Sequence, residues 1–415
     1  MFFPKRVKGL ASRKHKVTLN LDFNKRKGGF LKQKNVARVG NSLLSTFGLE
    51  NKFPSSDYTR VVYYHGGYLA IMTEERGLYL YFGTRQFRRF LTTSNCIIGY
   101  VEFDNDAIVS SVIGTYTTTN GFNGTLLTWD HYPSLAVCYG RIFGVNGTTL
   151  CITPAGAKDS SMWSQSSKIT SPTELNAVVA LDKVYALGDT CYALSPDAQD
   201  IDMHFAPICY GIGKVQTETV ATIGNRAFFA STKGLYQVKS NEVKPVFTEL
   251  NDFVSFDGCV ACAYQGKYYV TCKRKDGDMT QNDILLVLDV DSETIYAVFD
   301  VCAQHVNTLA GTLYIVINNE VYTVCKDDTE SCYGETVDFN CTDVKYLDKL
   351  AIKTRSDVDV WIKGNGEKRR YRIKGKNSIQ SIPVTGSGRQ FEVEIEAHNG
   401  MQLDMVELTA RSYEV

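Results

Sequence analysis

The apolar positions of this 415-residue chain fall in short runs, with few long helical stripes. One phrase recurs: an apolar residue followed by Tyr, inside a brief alternating run. It appears as Val184-Tyr185, Leu235-Tyr236, Ile295-Tyr296, Leu313-Tyr314 and Val321-Tyr322, with Tyr268-Tyr269-Val270 as a further copy and Leu78-Tyr79-Leu80 upstream. Each copy has a Gly, Asn or Asp turn beside it, such as Gly188-Asp189, Gly266-Lys267 or Asn318-Asn319. Short β-branched and aromatic runs separated by tight turns predict a meandering antiparallel sheet. Repetition over tens of residues predicts a propeller, each copy one strand of a blade, and the irregular spacing leaves the blade count open.

The same grammar begins upstream. Runs at 60–64, 68–73 and 77–82 predict a meander of hairpins, continued by 108–117 and 124–129. Residues 139–145 and 149–153 pair across Asn146-Gly147, a strong hairpin dipeptide. The Ser-rich stretch 158–172 predicts an exposed loop, and 40–48 is among the few segments with a helical reading. Val17 to Phe23 alternates cleanly and predicts a strand that must join a sheet elsewhere.

The texture changes at the polar stretch 327–334. Beyond it, runs at 337–339, 346–354, 358–363, 369–374, 378–384, 390–398 and 401–413 have sandwich length, with Gly364-Asn365-Gly366 and Asn399-Gly400 as turns. The expected architecture is all-β: an extended basic N-terminal arm over residues 1–50, an irregular β-propeller over 51–330 and a C-terminal β-sandwich over 331–415. Apolar residues at 44% with 22% charged exclude global disorder, and aromatics at 12% suit many short strands.

Charge adds an asymmetry. Formal net charge is zero, yet residues 1–39 hold twelve Lys and Arg against Asp22 alone, a net of +11 that leaves −11 on the rest. Lys5, Arg6, Lys8, Arg13, Lys14, Lys16, Lys25, Arg26 and Lys27 form the candidate docking arm. It lacks the aromatic platforms of a single-strand binder, so docking on a neighbouring subunit ranks ahead of proximity to DNA. Met1 to Arg6 lacks the apolar core of a signal peptide, and no run approaches the roughly 20 apolar residues of a spanning helix, so neither export nor a membrane segment is expected. Twelve Cys then read as free thiols.

Candidate chemistry is sparse. Cys259 and Cys262 with Cys302 and His305 have the donor types for zinc, but three-residue spacing on a strand turns the first two to opposite faces, so buried thiols are the better reading and no metal or cofactor is expected. Ser231 to Tyr236 faintly resembles a sialidase turn box without its Asp and Trp, and no carboxylate pair stands out for glycoside cleavage. No nucleophile elbow, phosphate-cradling loop or metalloprotease helix is present, so an enzyme is not expected. In the C-terminal segment, Arg370, Arg372 and Lys374 share one strand face, and Glu392, Glu394 and Glu396 share another. Pairing of those two strands would make a cross-strand charge ladder, favoured here over a nucleic-acid surface.

Two lines of sequence resemble tail proteins of double-stranded DNA phages: Tyr139-Gly140-Arg141-Ile142-Phe143-Gly144-Val145 with Leu150 and Trp163, and Tyr210-Gly211-Ile212-Gly213 followed by Ile223-Gly224-Asn225 and the run Phe228 to Tyr236. Leu286 to Asp291 leading to Ala297-Val298-Phe299 resembles a propeller strand of the same proteins. The plan is similar to the tail accessory (nozzle or stabilisation) proteins of short-tailed phages, over roughly Tyr58 to Val415, and the basic arm departs from it. The resemblance implies a virion subunit assembled in the host cytoplasm. It would form a homo-oligomeric, six-fold ring that meets the portal or adaptor and a tail fibre or needle. The ring would contact genomic double-stranded DNA transiently while retaining and then ejecting it. The alternatives are a carbohydrate-binding or glycan-cleaving receptor-recognition propeller and, third, an intracellular propeller scaffold that binds peptides.

Overall fold

The computed structural model describes residues 36–39, 42–45, 48–51, 53, 57–73, 78–83, 85–88, 96–194, 204–275, 277, 279–299, 301–325, 332–335, 345–388, 391–397 and 402–412. The expected strand at 17–23 lies outside them. The chain divides into two compact units, one of Leu49–Thr294 and Val301–Val324, the other of Met1–Gly48, Ile295–Asp300 and Cys325–Val415.

Among the described residues the first unit is a propeller of seven sheets, which supplies the count the sequence left open. Each of the first five is a four-stranded antiparallel meander in chain order: from Tyr58–His65 to Arg85–Arg88, Ile97–Phe103 to Thr125–Thr128, Ser134–Cys138 to Ser167–Thr170, Leu175–Ala180 to Phe205–Tyr210, and Ala221–Ile223 to Glu242–Val246. The sixth places Ala261–Tyr264, Lys267–Arg274 and Ile284–Asp289 in this unit. The seventh takes Ala303–Leu309, Thr312–Ile317 and Glu320–Cys325 and completes itself with Gly48–Asn51 from the start of the chain.

Burial on both sheet faces explains the strand sequences. In Val184–Gly188 all five residues are buried. Val184 and Ala186 pack with Phe143, Val145 and Leu150 of the third sheet, while Tyr185 and Leu187 pack with Ala227 and Phe229 of the fifth. The period of two is intact, but each face meets an apolar neighbour, so the run reads as continuously apolar. The ring closes on Tyr58, Val61 and Ile71 of the first sheet against Leu309, Val316 and Val321 of the seventh. Asn307 Nδ2 donates to the Val61 carbonyl at 2.9 Å and Tyr58 N–H to the Asn319 carbonyl at 2.9 Å across the same seam. Each large apolar side chain buried this way contributes about 1.5–3 kcal/mol.

Three local expectations are corrected. Residues 108–117 are two strands, Asp106–Ser111 and Gly114–Thr118, joined at Val112-Ile113. The Ser-rich stretch holds a helical turn, Ser160–Trp163, capped by Asp159 whose carboxylate accepts from Met162 N–H, and the edge strand Ser167–Thr170. The helical reading of 40–48 fails, because Ser42–Ser45 is a strand paired with Val36–Val39.

In the second unit, Val36–Val39 also pairs with 297–298, and Ser42–Ser45 pairs with 402–403. The expectation of an extended arm over 1–50 is corrected in its last part, since Val36–Val39, Ser42–Ser45 and Gly48–Asn51 are strands paired in sheets; residues 1–35 lie outside the described residues. The expected run 337–339 lies outside the described residues, and the polar boundary 327–334 is corrected where Cys332–Glu335 forms a strand paired with Phe391–Ala397. Beyond it the strands follow the prediction closely: Lys345–Thr354 pairs with Lys376–Pro383 and Gln402–Ser412, and Val358–Gly364 lies between Glu367–Ile373 and Phe391–Ala397. The apolar faces of these two groups of strands share one core, with Leu350, Ile352 and Leu408 from one and Val360, Ile362, Phe391 and Ile395 from the other. Asn365 and Gly366 adopt φ of 49° and 82°, the paired left-handed conformation of a two-residue hairpin turn.

Candidate functional site

Seven first strands face the propeller axis and enclose a tunnel with a cavity of about 550 Å³. Its wall is mostly Val, Ile, Leu and Ala with a few neutral polar residues, and it carries one basic, one acidic and one imidazole side chain: Arg60 on the first sheet, Glu218 at the entry to the fifth and His305 on the seventh. Two of them sit where the strand register slips. The first sheet is irregular between Tyr58 and Arg60, and the seventh between Ala303 and His305. A bulge of this kind turns a side chain off the face that strict alternation would give it.

Glu218 lies in the 3-10 turn Thr217–Thr219, which three sheets pin. Thr217 Oγ1 donates to the Asn176 carbonyl at 2.8 Å, Ala230 N–H donates to Thr219 Oγ1 at 2.8 Å, and Tyr268 hydroxyl donates to the Thr219 carbonyl at 2.7 Å. So held, Glu218 Oε1 receives Arg60 Nη2 as a hydrogen-bonded ion pair. The first and fifth sheets are not neighbours in the ring, so this pair reaches across the axial space. Arg60 Nε, beside the bonded nitrogen, has no hydrogen-bond partner.

His305 is only 5% exposed, and its Nδ1 has no partner either. Burial, with the Arg60 charge assisting, pushes its pKa down to about 3, so the imidazole is neutral at physiological pH. The nearby thiols have hydrogen-bond partners within the protein. Cys262 Sγ accepts from Thr308 Oγ1 at 3.4 Å, and burial raises its pKa to about 12. Cys302 Sγ accepts from Gln281 Nε2 at 3.8 Å. No cluster of three or more metal-ligating side chains occurs among the described residues.

The nine arm residues from Lys5 to Lys27 lie outside the described residues. The charge ladder is corrected. The strands carrying Arg370 and Glu394 do not pair with each other; both pair with Val358–Gly364 between them. Across the three strands the rows read Glu396, Asp359, Arg372, then Glu394, Trp361, Arg370, then Glu392, Lys363, Lys368. The acid that Arg370 and Arg372 meet is Asp359, 4% exposed, with Arg370 Nη2 hydrogen-bonded to it and Arg372 Nε at 3.5 Å. Lys368 pairs with Glu394 over Trp361; its Nζ lies 5.5 Å, and Arg370 Cζ 5.3 Å, from the Trp361 ring centre. Lys374 lies just past the strand end and is exposed.

Sequence reasoning missed Arg60 and Glu218 altogether and weighed His305 only as a zinc donor beside Cys302. The available signal was a charged or imidazole side chain within an otherwise apolar first strand or its entry.

These sheets make the chain an all-β propeller protein. No family profile and no curated protein matches it. Solved structures similar to it are themselves remote. BamB from Moraxella catarrhalis aligns over 75% of this chain and 95% of its own, at 10% identity and TM-score 0.43. YCF48 bound to a D1 peptide aligns over 68% and 96%, at 11% and 0.46. The Neurospora crassa Pan2 WD40 domain aligns over 86% and 95%, at 7% and 0.34. Among the described residues no helix is long and apolar enough to cross a membrane.

Proposed function

We propose that this chain is a non-catalytic structural subunit of a short-tailed phage tail, forming a homo-oligomeric ring around the DNA path below the portal. The observation that carries the reading is the cross-axis tie. Arg60 and Glu218 join sheets that are not adjacent, so the propeller is braced internally and its own axis is no conduit. DNA then passes through the hole of the ring of subunits. The −11 charge beyond residue 39 suits a wall that must release DNA, because each phosphate contact would add salt-dependent affinity and slow its passage. The phage-like sequence lines supply the tail assignment, and the +11 arm supplies the means of docking on an acidic neighbour.

Electron microscopy and mass photometry of the purified chain test this. Closed rings are expected for the full chain. A variant lacking residues 1–35, which keeps the paired strand from Val36, is expected to fold and to lose the ring. Rings that persist without the arm refute its docking role, and a monomer at every concentration refutes the ring.

One observation favours the glycan-binding reading. Phe53, Tyr64, Tyr81 and Tyr314 line a second cavity of about 600 Å³ with Asn51, Thr312 and Thr323, and the buried Thr323 Oγ1 has no partner. Aromatic faces beside hydroxyl and amide groups suit a sugar ring. Glycan-array binding by a monomer that Tyr64→Ala abolishes would establish this reading in place of the ring.

A further inference from the structure

We propose that the axial tunnel is a binding site for a small carboxylate with an aliphatic body, whose oxygens accept from Arg60 Nε–H and from His305 Nδ1–H. Three observations converge on that chemistry.

The first is room. The cavity of about 550 Å³ falls within the range of small-molecule sites. The second is a pair of buried polar atoms that nothing in the protein satisfies, Arg60 Nε and His305 Nδ1. Leaving such atoms unmet is costly, and native interiors rarely do so. Arg60 Nε–H is a donor under all conditions, so its missing partner is an acceptor. Neutral His305 in its Nδ1–H tautomer is a donor too. Both donors belong to residues that line the tunnel and both call for oxygen, and the Arg60 charge, which His305 also feels, favours an ionised one.

The third observation is the wall. Around the polar trio the tunnel presents Ile98, Leu135, Val179, Val260 and Val306. A fully hydrated inorganic anion gains little from such a surface, whereas an alkyl group does. Glu218 is 36% exposed at its side chain, against 25% for Arg60, so water can receive its carboxylate when the incoming one shares the guanidinium. The register slips at Arg60 and His305 also bear on this view, since each falls at a residue that carries one of the two donors. Arg60 and Glu218 are the charged groups among the lining residues, and their sum is zero. An amine ligand therefore finds one charged acceptor, Glu218, already engaged by Arg60.

The test uses the full chain and butyrate, butyramide and butylamine as probes, read by calorimetry and by the His305 ring resonances. Butyrate is expected to bind in the roughly millimolar range that suits so small a ligand and to move the His305 signals. Butyramide should bind more weakly and butylamine not at all. Arg60→Gln should weaken butyrate about 10- to 100-fold, the effect of losing one charge-assisted hydrogen bond. His305→Gln should weaken it less. Absence of butyrate heat with unmoved His305 signals would overturn the proposal and leave a buried water as the partner of both donors. Equal binding of butylamine, or an Arg60→Gln protein that binds as the wild type does, would also overturn it. If neither variant folds, the ligand series on the wild type still decides. Ring formation is not involved in any of these readouts, so the tail role can fail while this site stands, and the reverse.

Discussion

Lowering the pH from 8 to 5 should weaken the propeller through His305. In the unfolded chain this imidazole takes up a proton near its ordinary pKa of 6.5. In the folded chain burial and Arg60 hold the pKa at about 3. The stabilising difference is therefore complete above 6.5 and is lost progressively as pH falls from 6.5 towards 3. At pH 5 the unfolded state has gained a proton that the native state refuses over about 1.5 pH units. At 1.36 kcal/mol per unit that is a loss of about 2 kcal/mol. With only 5% of the residue exposed, solvent screening removes little of it. For a unit of this size the loss corresponds to a melting shift of about 4–8 °C.

Other groups titrate in the same window, so the assay is a difference of differences. Urea unfolding of wild type and His305→Gln at pH 8 and pH 5 gives two pH-dependent losses, and the wild-type loss should exceed that of the variant by about 2 kcal/mol. Equal losses would refute the reasoning, because they would mean that His305 titrates alike in both states and is not held neutral by its surroundings.

Gly99 belongs to the first strand of the second sheet, where a Cβ would stand 2.3 Å from the Tyr132 carbonyl oxygen; Gly99→Ala should destabilise the propeller by about 1–3 kcal/mol in thermal unfolding. Arg370→Ala should destabilise the second unit by weakening the hold on buried Asp359, and a double-mutant cycle with Asp359→Asn should recover part of that loss. Native-state alkylation at pH 8 followed by mass spectrometry should label half-buried Cys209 and Cys302 well before buried Cys262 and Cys272, whose thiol pKa values burial raises.

Much of the second unit was legible in the sequence. Residues 345–412 show alternation and turn chemistry within a few positions of each other, and Asn365-Gly366 can adopt its turn without help from distant residues. The hairpin hidden in 108–117 was not legible, because its turn is made of Val112 and Ile113, 39% and 37% exposed, which carry no turn signal. The segment 40–48 carried no periodicity strong enough to fix its structure. Ser42–Ser45 within it is strand because Val36–Val39 and, far along the chain, residues 402–403 offer edges to pair with. The charge ladder failed for a related reason. Alternation placed Arg370 and Glu394 on the correct faces, but strand order is a long-range property, and Asp359 and Trp361 came between them.

By itself the sequence determined the all-β character, the positions of most strands and the charge asymmetry, since each depends on neighbours two to four residues apart or on composition. Only the tertiary structure decided the seven-fold closure and the tunnel. Arg60 and Glu218 are 158 residues apart, and they meet across an axis that exists only once the last sheet packs on the first. His305 is unremarkable as a letter in the sequence. Its unsatisfied nitrogen and depressed pKa come from the walls that the closed ring builds around it.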